Sequence, residues 1–518
     1  MNASLPVLTS IKSNWDLLND RPTVGKDVLE LLSSSMYVNA LAIYREYVQN
    51  STDAIEEATA LGLLGDVERG RIDIMIDAPG RSIRIRDNGT GLSKGVFAKT
   101  LIALGASKKR GTKARGFRGV GRLAGLGYCK ELIFRSRVDG EAEVSELRWD
   151  CVRLKSSLRD ASFNGNIEDL IRDVVRVRRA VGRDLPSRFF EVEMSEIIRH
   201  GNDSLINREH IHNYLSQVAP VPFAPSFRFG KRITDKLRSQ ISFGNVLIYL
   251  NGEKTPLYRP HRNDFEVRKG VVDQFKDVEF FELKSADDKL AATGWILDHG
   301  YQGAIDRSVL IKGLRLRTGN MQVGEANLLD DLFPEPRFNS WIVGEIHVLD
   351  ERIMPNGRRD HFEQNGPFID LRNKLIPIAR KLSRSCRVSS LRRNVIRQFQ
   401  TLQREVEHKF SVNKQGAVAV TELKKMEKDV GRDLNRMEQI SAHSSLLADQ
   451  RRKLTAIINR LRRRLDGEFK AANQHRVLKA LKKPEKQVYE RVIALIYECS
   501  ANKAAAKQLI DRILNRIG

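Results

Sequence analysis

The chain has 518 residues, 41% of them hydrophobic, with 89 Lys+Arg against 65 Asp+Glu and a formal net charge of +24. That length exceeds one ordinary core and predicts two to four domains, and no run approaches the roughly 18 uninterrupted apolar residues of a membrane helix, so no membrane partner is expected. The excess charge is carboxy-terminal: residues 371–518 hold 35 Lys+Arg against 14 Asp+Glu (+21), and residues 1–370 hold 54 against 51 (+3).

A near-neutral globular part followed by a basic part points to a polyanion partner for the tail, the plain alternatives being basic helices that are merely soluble or that face an acidic protein. The amino terminus, MNASLPVLTSIKSNW, lacks the basic, apolar and small-residue pattern of a secretory signal. Cys129, Cys151, Cys386 and Cys499 are widely spaced and form no metal-type pair. A reducing, cytoplasmic location is the expectation.

Pro22 and Gly25 break any early helix, after which KDVLELL and SSSMYVNALAIYREYVQN read as helices separated by a serine turn, with Ser33 to Ser35 placed to cap the second. Over Leu41 to Glu57, a turn of about 100° per residue brings Glu46, Asn50 and Asp53 within about 60° of one another and sets Leu41, Tyr44, Val48 and Ile55 opposite. Alone, such a polar side is ordinary solvated surface. It nevertheless gathers two carboxylates and an amide.

A hairpin follows. RIDIMID alternates Ile72, Ile74 and Ile76, Pro79-Gly80 turns the chain, and RSIRIRD alternates Ile83 and Ile85. It ends in Asp87-Asn88-Gly89-Thr90-Gly91, where the glycines permit positive φ and close approach, and Asp87 can accept from a donor such as an exocyclic amine; Asp-Asn-Gly is also a common turn. The segment Gly105 to Cys129 is glycine-rich and basic, with Lys108, Lys109, Arg110, Lys113 and Arg115 ahead of Gly116, Gly119 and Gly121. RLAGL reads as the first turns of a helix, so those glycine amides can point at phosphate oxygens. KELIFRSRV reads as a strand in which Ser136 offers a hydroxyl.

FFEVEM, REHIHNYLSQVAPVPF, VLIYLNG, SVLIKGLRLRTGNMQVG and WIVGEIHVLD read as strands mixed with helices, an α+β middle region. From about residue 371 the pattern becomes helical. Leu391, Val395, Phe399, Leu402 and Val406 recur at three- and four-residue steps, as do Leu447, Leu454, Ile458, Leu461 and Leu465, which suits short coiled coils or a bundle. Few aromatics are interleaved, so any nucleic-acid contact through residues 371–518 would be mainly with phosphate. RVIALIYECSANKAAAKQLIDRILNRIG reads as a packed or dimerising helix pair.

Three stretches together resemble the GHKL ATPase family, which includes gyrase-type topoisomerases, ninety-kilodalton heat-shock chaperones, histidine kinases and MutL. Its E-x-x-x-N-x-x-D-A motif is matched by Glu46, Asn50, Asp53 and Ala54, its D-x-G-x-G motif by Asp87, Gly89 and Gly91, and its glycine-rich lid end by GFRGVGRLA. The resemblance implies a Bergerat-type ATPase α/β sandwich at residues 1–185, an α+β transducer-like domain at 186–370 and an all-α basic region at 371–518. It implies ATP and Mg²⁺ as cofactors.

By that resemblance Glu46 is the general base, Asn50 the Mg²⁺ ligand, and Asp53 a neighbour of the lid and metal shell. Asp87 accepts from the adenine amine, Gly89 and Gly91 shape the base pocket, and Ser136 reaches towards adenine. Gly105, Lys108, Gly116, Gly119, Val120 and Gly121 belong to the lid that meets the phosphates. IMPNGRRDHFE resembles the catalytic loop of the chaperones' middle domain, which assigns a γ-phosphate contact to Arg359, with Arg358 beside it and Arg315 and Arg317 as weaker candidates.

The domain order is similar to that of bacterial heat-shock-90-like and microrchidia-like ATPases. The function implied is Mg²⁺-dependent ATP hydrolysis driving an ATP-gated clamp in a chaperone-like homodimer, acting on a protein client or effector partner, with stress or antiviral defence as the setting. The alternative is a nucleic-acid clamp that binds DNA or RNA through the basic helices. A non-hydrolysing scaffold is a third reading, against which the intact Glu46 argues.

Overall fold

A computed structural model describes residues 39–65, 68–104, 121–160, 162–163, 165–182, 184–199, 201–241, 243, 246–415, 420–472 and 481–517. They divide into two compact units, one of residues up to 299 with 305–332 and 342–376, the other of 300–304, 333–341 and residues from 377 onward.

In the first unit, helix α1 (Ala42–Ala60) opens the described chain. It ends where Gly62 takes φ +67°, so that Gly62 and Leu63 donate to the carbonyls of Thr59 and Ala58, a turn that a glycine just past a helix makes at little cost. The expected hairpin is present as β1 (Gly70–Asp77) and β2 (Ser82–Asp87), antiparallel, with Ile74 opposite Ile85 and Ile76 opposite Ile83. Five more strands complete the sheet: β3 (Glu131–Arg137), β4 (Glu143–Asp150), β5 (Val175–Val181), β6 (Phe189–Ser195) and β7 (Val246–Leu250). Their order is β5-β4-β3-β6-β2-β1-β7, with β7 parallel to β1.

Strand alternation sorts this sheet into two faces. Ile72, Ile74, Ile83, Ile85, Leu132, Phe134, Leu147, Trp149, Val192 and Met194 are buried in one core together with Ile43, Tyr44, Tyr47, Val48 and Ile55 of α1. The other face carries a ladder of ion pairs: Arg86 meets Glu191 at 2.6 Å, Arg135 meets Glu191 at 2.8 Å and Glu146 at 2.7 Å, and Glu146 also meets Arg178. Opposite charges on neighbouring strands stabilise such a face by about 0.2–1 kcal/mol per pair.

The topology corrects one expectation. FFEVEM and VLIYLNG, read as middle-region strands, lie in this first sheet, so a limit at residue 185 cuts through it. Alternation identifies a strand but says nothing of its sheet partner. The cysteines, far apart in sequence, include a pair in contact: the Sγ atoms of Cys129 and Cys151 are 4.0 Å apart, both buried, and burial raises the Cys129 thiol well above its ordinary value.

The same unit holds a second sheet of order β8-β9-β12-β10-β11, built from β8 (Asp277–Lys284), β9 (Leu290–Asp298), β10 (Gly313–Thr318), β11 (Met321–Val323) and β12 (Val343–Val348). Trp295, Leu297 and Val343 pack there with Phe223, Phe227, Ile233 and Phe275.

The second unit is helical, as expected. It takes residues 377 onward of the helix Gly366–Gln415, which carries Pro377 inside it, followed by helices Val420–Ser441, Ala448–Ala472, Lys483–Cys499 and Lys503–Ile517. Val395, Phe399, Val406, Leu454, Ile458 and Leu461 share one core with Val430, Leu434 and Met437 of the intervening helix, which makes this a three-helix cluster. Leu391 and Leu447, the first member of each expected stripe, are 46% and 47% exposed and lie outside it. No helix among the described residues is long and apolar enough to cross a membrane.

Candidate functional site

The polar side of α1 is buried. Glu46 is 6% exposed, Asp53 7% and Gln49 1%, with Asn50 half-buried beside them. Carboxylates are rarely buried without partners, and the nearer of the two that Glu46 has comes from the far end of the unit. Arg359 Nε lies 3.1 Å from Glu46 Oε1, and Arg45 Nε lies 3.9 Å from the same oxygen.

Arg359 is presented by a strained turn. Pro355 bridges Phe362, Asn356 N donates to His361 O at 2.8 Å, and Arg359 N donates to Asn356 O at 3.1 Å. Arg359 itself has φ +56°, a left-handed conformation that costs a non-glycine residue about 1–3 kcal/mol and needs its surroundings to hold it. They do so through its carbonyl, which accepts from Gly324 N at 2.9 Å and from Arg45 at 3.3 Å. Arg45 also donates to Arg358 O at 2.7 Å, while the Arg358 side chain is exposed. Of the two candidate arginines, Arg359 is the one brought to Glu46.

Asp87 ends β2, opposite Ile72 and Phe190 on its neighbours. Its carboxylate accepts from Gly89 N at 3.0 Å and from the Ser51 hydroxyl, yet burial outweighs these bonds and pushes it up to about 7. A side chain at Gly89 would bring a Cβ within 2.7 Å of Ala54 Cβ; at Gly91, where φ is +67°, the Cβ would lie 2.6 Å from Arg137 O. Thr90 N donates to Ala54 O at 3.2 Å, which ties the turn to α1. Arg188 holds the other side, donating to Gly89 O and Leu63 O, each at 2.9 Å.

The Ser136 hydroxyl accepts from Leu92 N at 2.7 Å, donates to Phe189 O at 3.0 Å and lies 3.3 Å from where a Cβ at Gly91 would be, so it supports the turn. RLAGL corrects the expectation of an ordinary helix: Gly121–Gly127 is a 3₁₀ helix, a short form suited to a segment in which three glycines disfavour a longer α-helix. It is fixed by Gly125 N, which donates to Tyr47 Oη of α1 at 2.9 Å. It also sets Gly121 so close to Glu46 that a Cβ there would lie 2.3 Å from Oε2. Gly105, Lys108, Gly116, Gly119 and Val120 lie outside the described residues, as do Ser33 to Ser35.

Arg315 and Arg317 are not site arginines. Arg317 pairs with Glu345 at 2.7 Å and donates to Gln217 O at 2.6 Å, Arg315 donates to Gln217 Oε1 at 3.1 Å, and Arg259 pairs with the same Glu345. All four charged groups are buried.

The arrangement fits a purine nucleotide with a metal. Asp87 is a buried acceptor of adjustable charge, held by a turn so closely packed at Gly89 and Gly91 that neither position admits a side chain, and Glu46, Asn50 and Arg359 offer a base, an oxygen ligand and a cation. A Mg²⁺ ion bound with phosphates needs only one or two protein oxygens, so Asn50 suffices as its protein donor. The sequence reading missed Arg45, Gln49, Ser51 and Arg188. Arg188 carried no local signal, whereas Arg45, Gln49 and Ser51 flank the motif residues on the same helix.

Residues 38–163 match the family of histidine kinase-, DNA gyrase B-, and HSP90-like ATPases. The chain is 33% identical over 97 residues to the chaperone protein HtpG of Sulfurimonas denitrificans, a match covering 18% of this chain and 15% of that protein. It is 36% identical over 92 residues to HtpG of Azorhizobium caulinodans, covering 17% and 14%. To an endoplasmin homolog of Hordeum vulgare it is 24% identical over 187 residues, covering 29% and 23%. The chain thus spans less than a quarter of the length of each of these relatives.

Proposed function

We propose that this chain, which carries a histidine kinase-, DNA gyrase B- and HSP90-like ATPase domain at residues 38–163, binds ATP with Mg²⁺ and hydrolyses it to ADP and phosphate. The observation that carries this reading is the 3.1 Å contact between Glu46, on the same helix as Asn50 and Asp53, and Arg359, a cation 313 positions further along the sequence.

Bound ATP and Mg²⁺ supply the phosphoryl group and screen its charge. Asp87 selects the base by accepting from its amine, and Ser51 and Gly89 N keep that carboxylate aimed. Asn50 offers its amide oxygen to the metal, with Asp53 one turn on. Glu46 takes the proton of the attacking water. Arg359 neutralises Glu46 at rest and, once a more anionic group takes its guanidinium, releases that carboxylate and stabilises charge on the phosphoryl oxygens. Gly121 brings its backbone against Glu46 from the lid side.

Glu46→Ala tests the assignment: phosphate release falls about 10²-fold or more while ATP binding, measured by calorimetry, persists. Unchanged turnover refutes it.

Beyond hydrolysis, the reading is a chaperone-like clamp, closing on ATP in a homodimer and acting on a protein client or effector, with stress or antiviral defence as its setting. The similarity to chaperone proteins HtpG supports the chaperone-like part. The second reading, a nucleic-acid clamp, is favoured by the exposed Arg451, Arg452, Lys453, Arg460 and Arg463 on helix Ala448–Ala472. Its mark is affinity for DNA or RNA that falls by orders of magnitude between about 50 and 200 mM salt; salt-insensitive binding of a protein removes it.

A further inference from the structure

We infer that Gln49 positions the attacking water together with Glu46. The inference rests on the ATPase reading. Gln49 is 1% exposed, and among the described residues neither its Oε1 nor its Nε2 has a hydrogen-bond partner. Buried polar side chains are normally paired, and leaving one unpaired is destabilising. A Leu or Met would fill the same volume without that cost. Both functions of this amide are therefore available to something that enters the site.

Its place on α1 says what that is. Gln49 lies one turn after Glu46 and one turn before Asp53, and side chains three or four apart on a helix are neighbours, with Cβ atoms about 5–6 Å apart. Around the axis it stands about 60° from Glu46, towards Arg45, whose guanidinium holds the loop that carries Arg359. It thus belongs to the side of the helix where the base and the arginine meet.

A water that attacks phosphorus must place two hydrogens and aim a lone pair. Glu46 accepts one hydrogen. With only that bond the water turns about it, and the lone pair is in line for a fraction of the time. Oε1 of Gln49 accepts the second hydrogen and fixes the plane, while Nε2 donates to an anionic oxygen of the phosphoryl group. As the new O–P bond forms and the bond to the ADP oxygen breaks, the water's proton passes to Glu46; Gln49 keeps both of its own.

The test uses the full chain with Gln49→Met and Gln49→Leu. Without nucleotide, both variants melt at or above the parent temperature, because an unpaired amide has been replaced by apolar volume. Their affinities for ATP and ADP stay at the parent values, and turnover falls about 10-fold or more through kcat. Turnover at the parent rate in both overturns the inference. So does a lower melting temperature or loss of the fold in both, which makes the amide a structural anchor, and so does a change in KM with kcat intact. If the parent chain itself releases no phosphate, the ATPase reading fails separately, and the nucleotide-free melting still reports on Gln49.

Discussion

Asp87 shows how a single buried group ties stability to pH. Its ordinary value is 3.8 and burial moves it to about 7, so between those limits the folded chain keeps a proton that the unfolded chain has lost. Stability from this group is greatest at low pH and declines as pH rises towards 7. Asp87→Asn removes that slope, which melting curves taken across the range will show. A donor from adenine favours the ionised carboxylate and lowers its value. ATP binding near pH 6–7 therefore releases a proton, detectable by calorimetry in buffers of different ionisation enthalpy, and Asp87→Asn abolishes the release.

Among elements, the turn after β2 is the most exacting. Gly91 combines φ +67° with a carbonyl 2.6 Å from where a Cβ would be. Gly91→Ala is expected to destabilise the first unit by about 1–3 kcal/mol in denaturant titration and to weaken ATP binding, since the turn cannot relax without breaking the Thr90–Ala54 bond. This turn was legible in the sequence because Asp87, Gly89 and Gly91 stand within five positions. The support given by Arg188 was not, because a side chain about a hundred residues away reaches it only once β6 has paired with β2. Helix α1 was legible for the same local reason as the turn, though not the burial of its polar side, which depends on the loop around Arg359.

At the scale of the molecule, the cluster of Arg259, Arg317 and Glu345 joins the second sheet to the chain near Gln217 and Val221. Burial alone would raise Glu345, but Arg259 and Arg317 outweigh it and hold that carboxyl well below its ordinary range. Glu345→Ala leaves buried arginines without their counter-charge and is expected to cost about 3–5 kcal/mol in equilibrium unfolding. Beside it, burial lowers His261 to about 3 and His347 to about 4. The unfolded chain takes up protons at these sites below pH 6.5 while the folded chain does not, so their contribution declines as pH falls, opposite in sign to that of Asp87.

What the sequence determined by itself was everything carried by short spacing: the helix with Glu46, Asn50 and Asp53, the hairpin, the Asp87–Gly91 turn and the helical carboxy-terminal part. Backbone periodicity and turn chemistry act over a few residues, so they are written locally. Tertiary structure alone decided that Arg359 and not Arg315 or Arg317 meets Glu46, that Ser136 bonds Leu92 N and Phe189 O, that Cys129 touches Cys151, and that strands beyond residue 185 complete the first sheet. Each of these depends on which distant segments share one core, and that is settled by packing the whole unit at once.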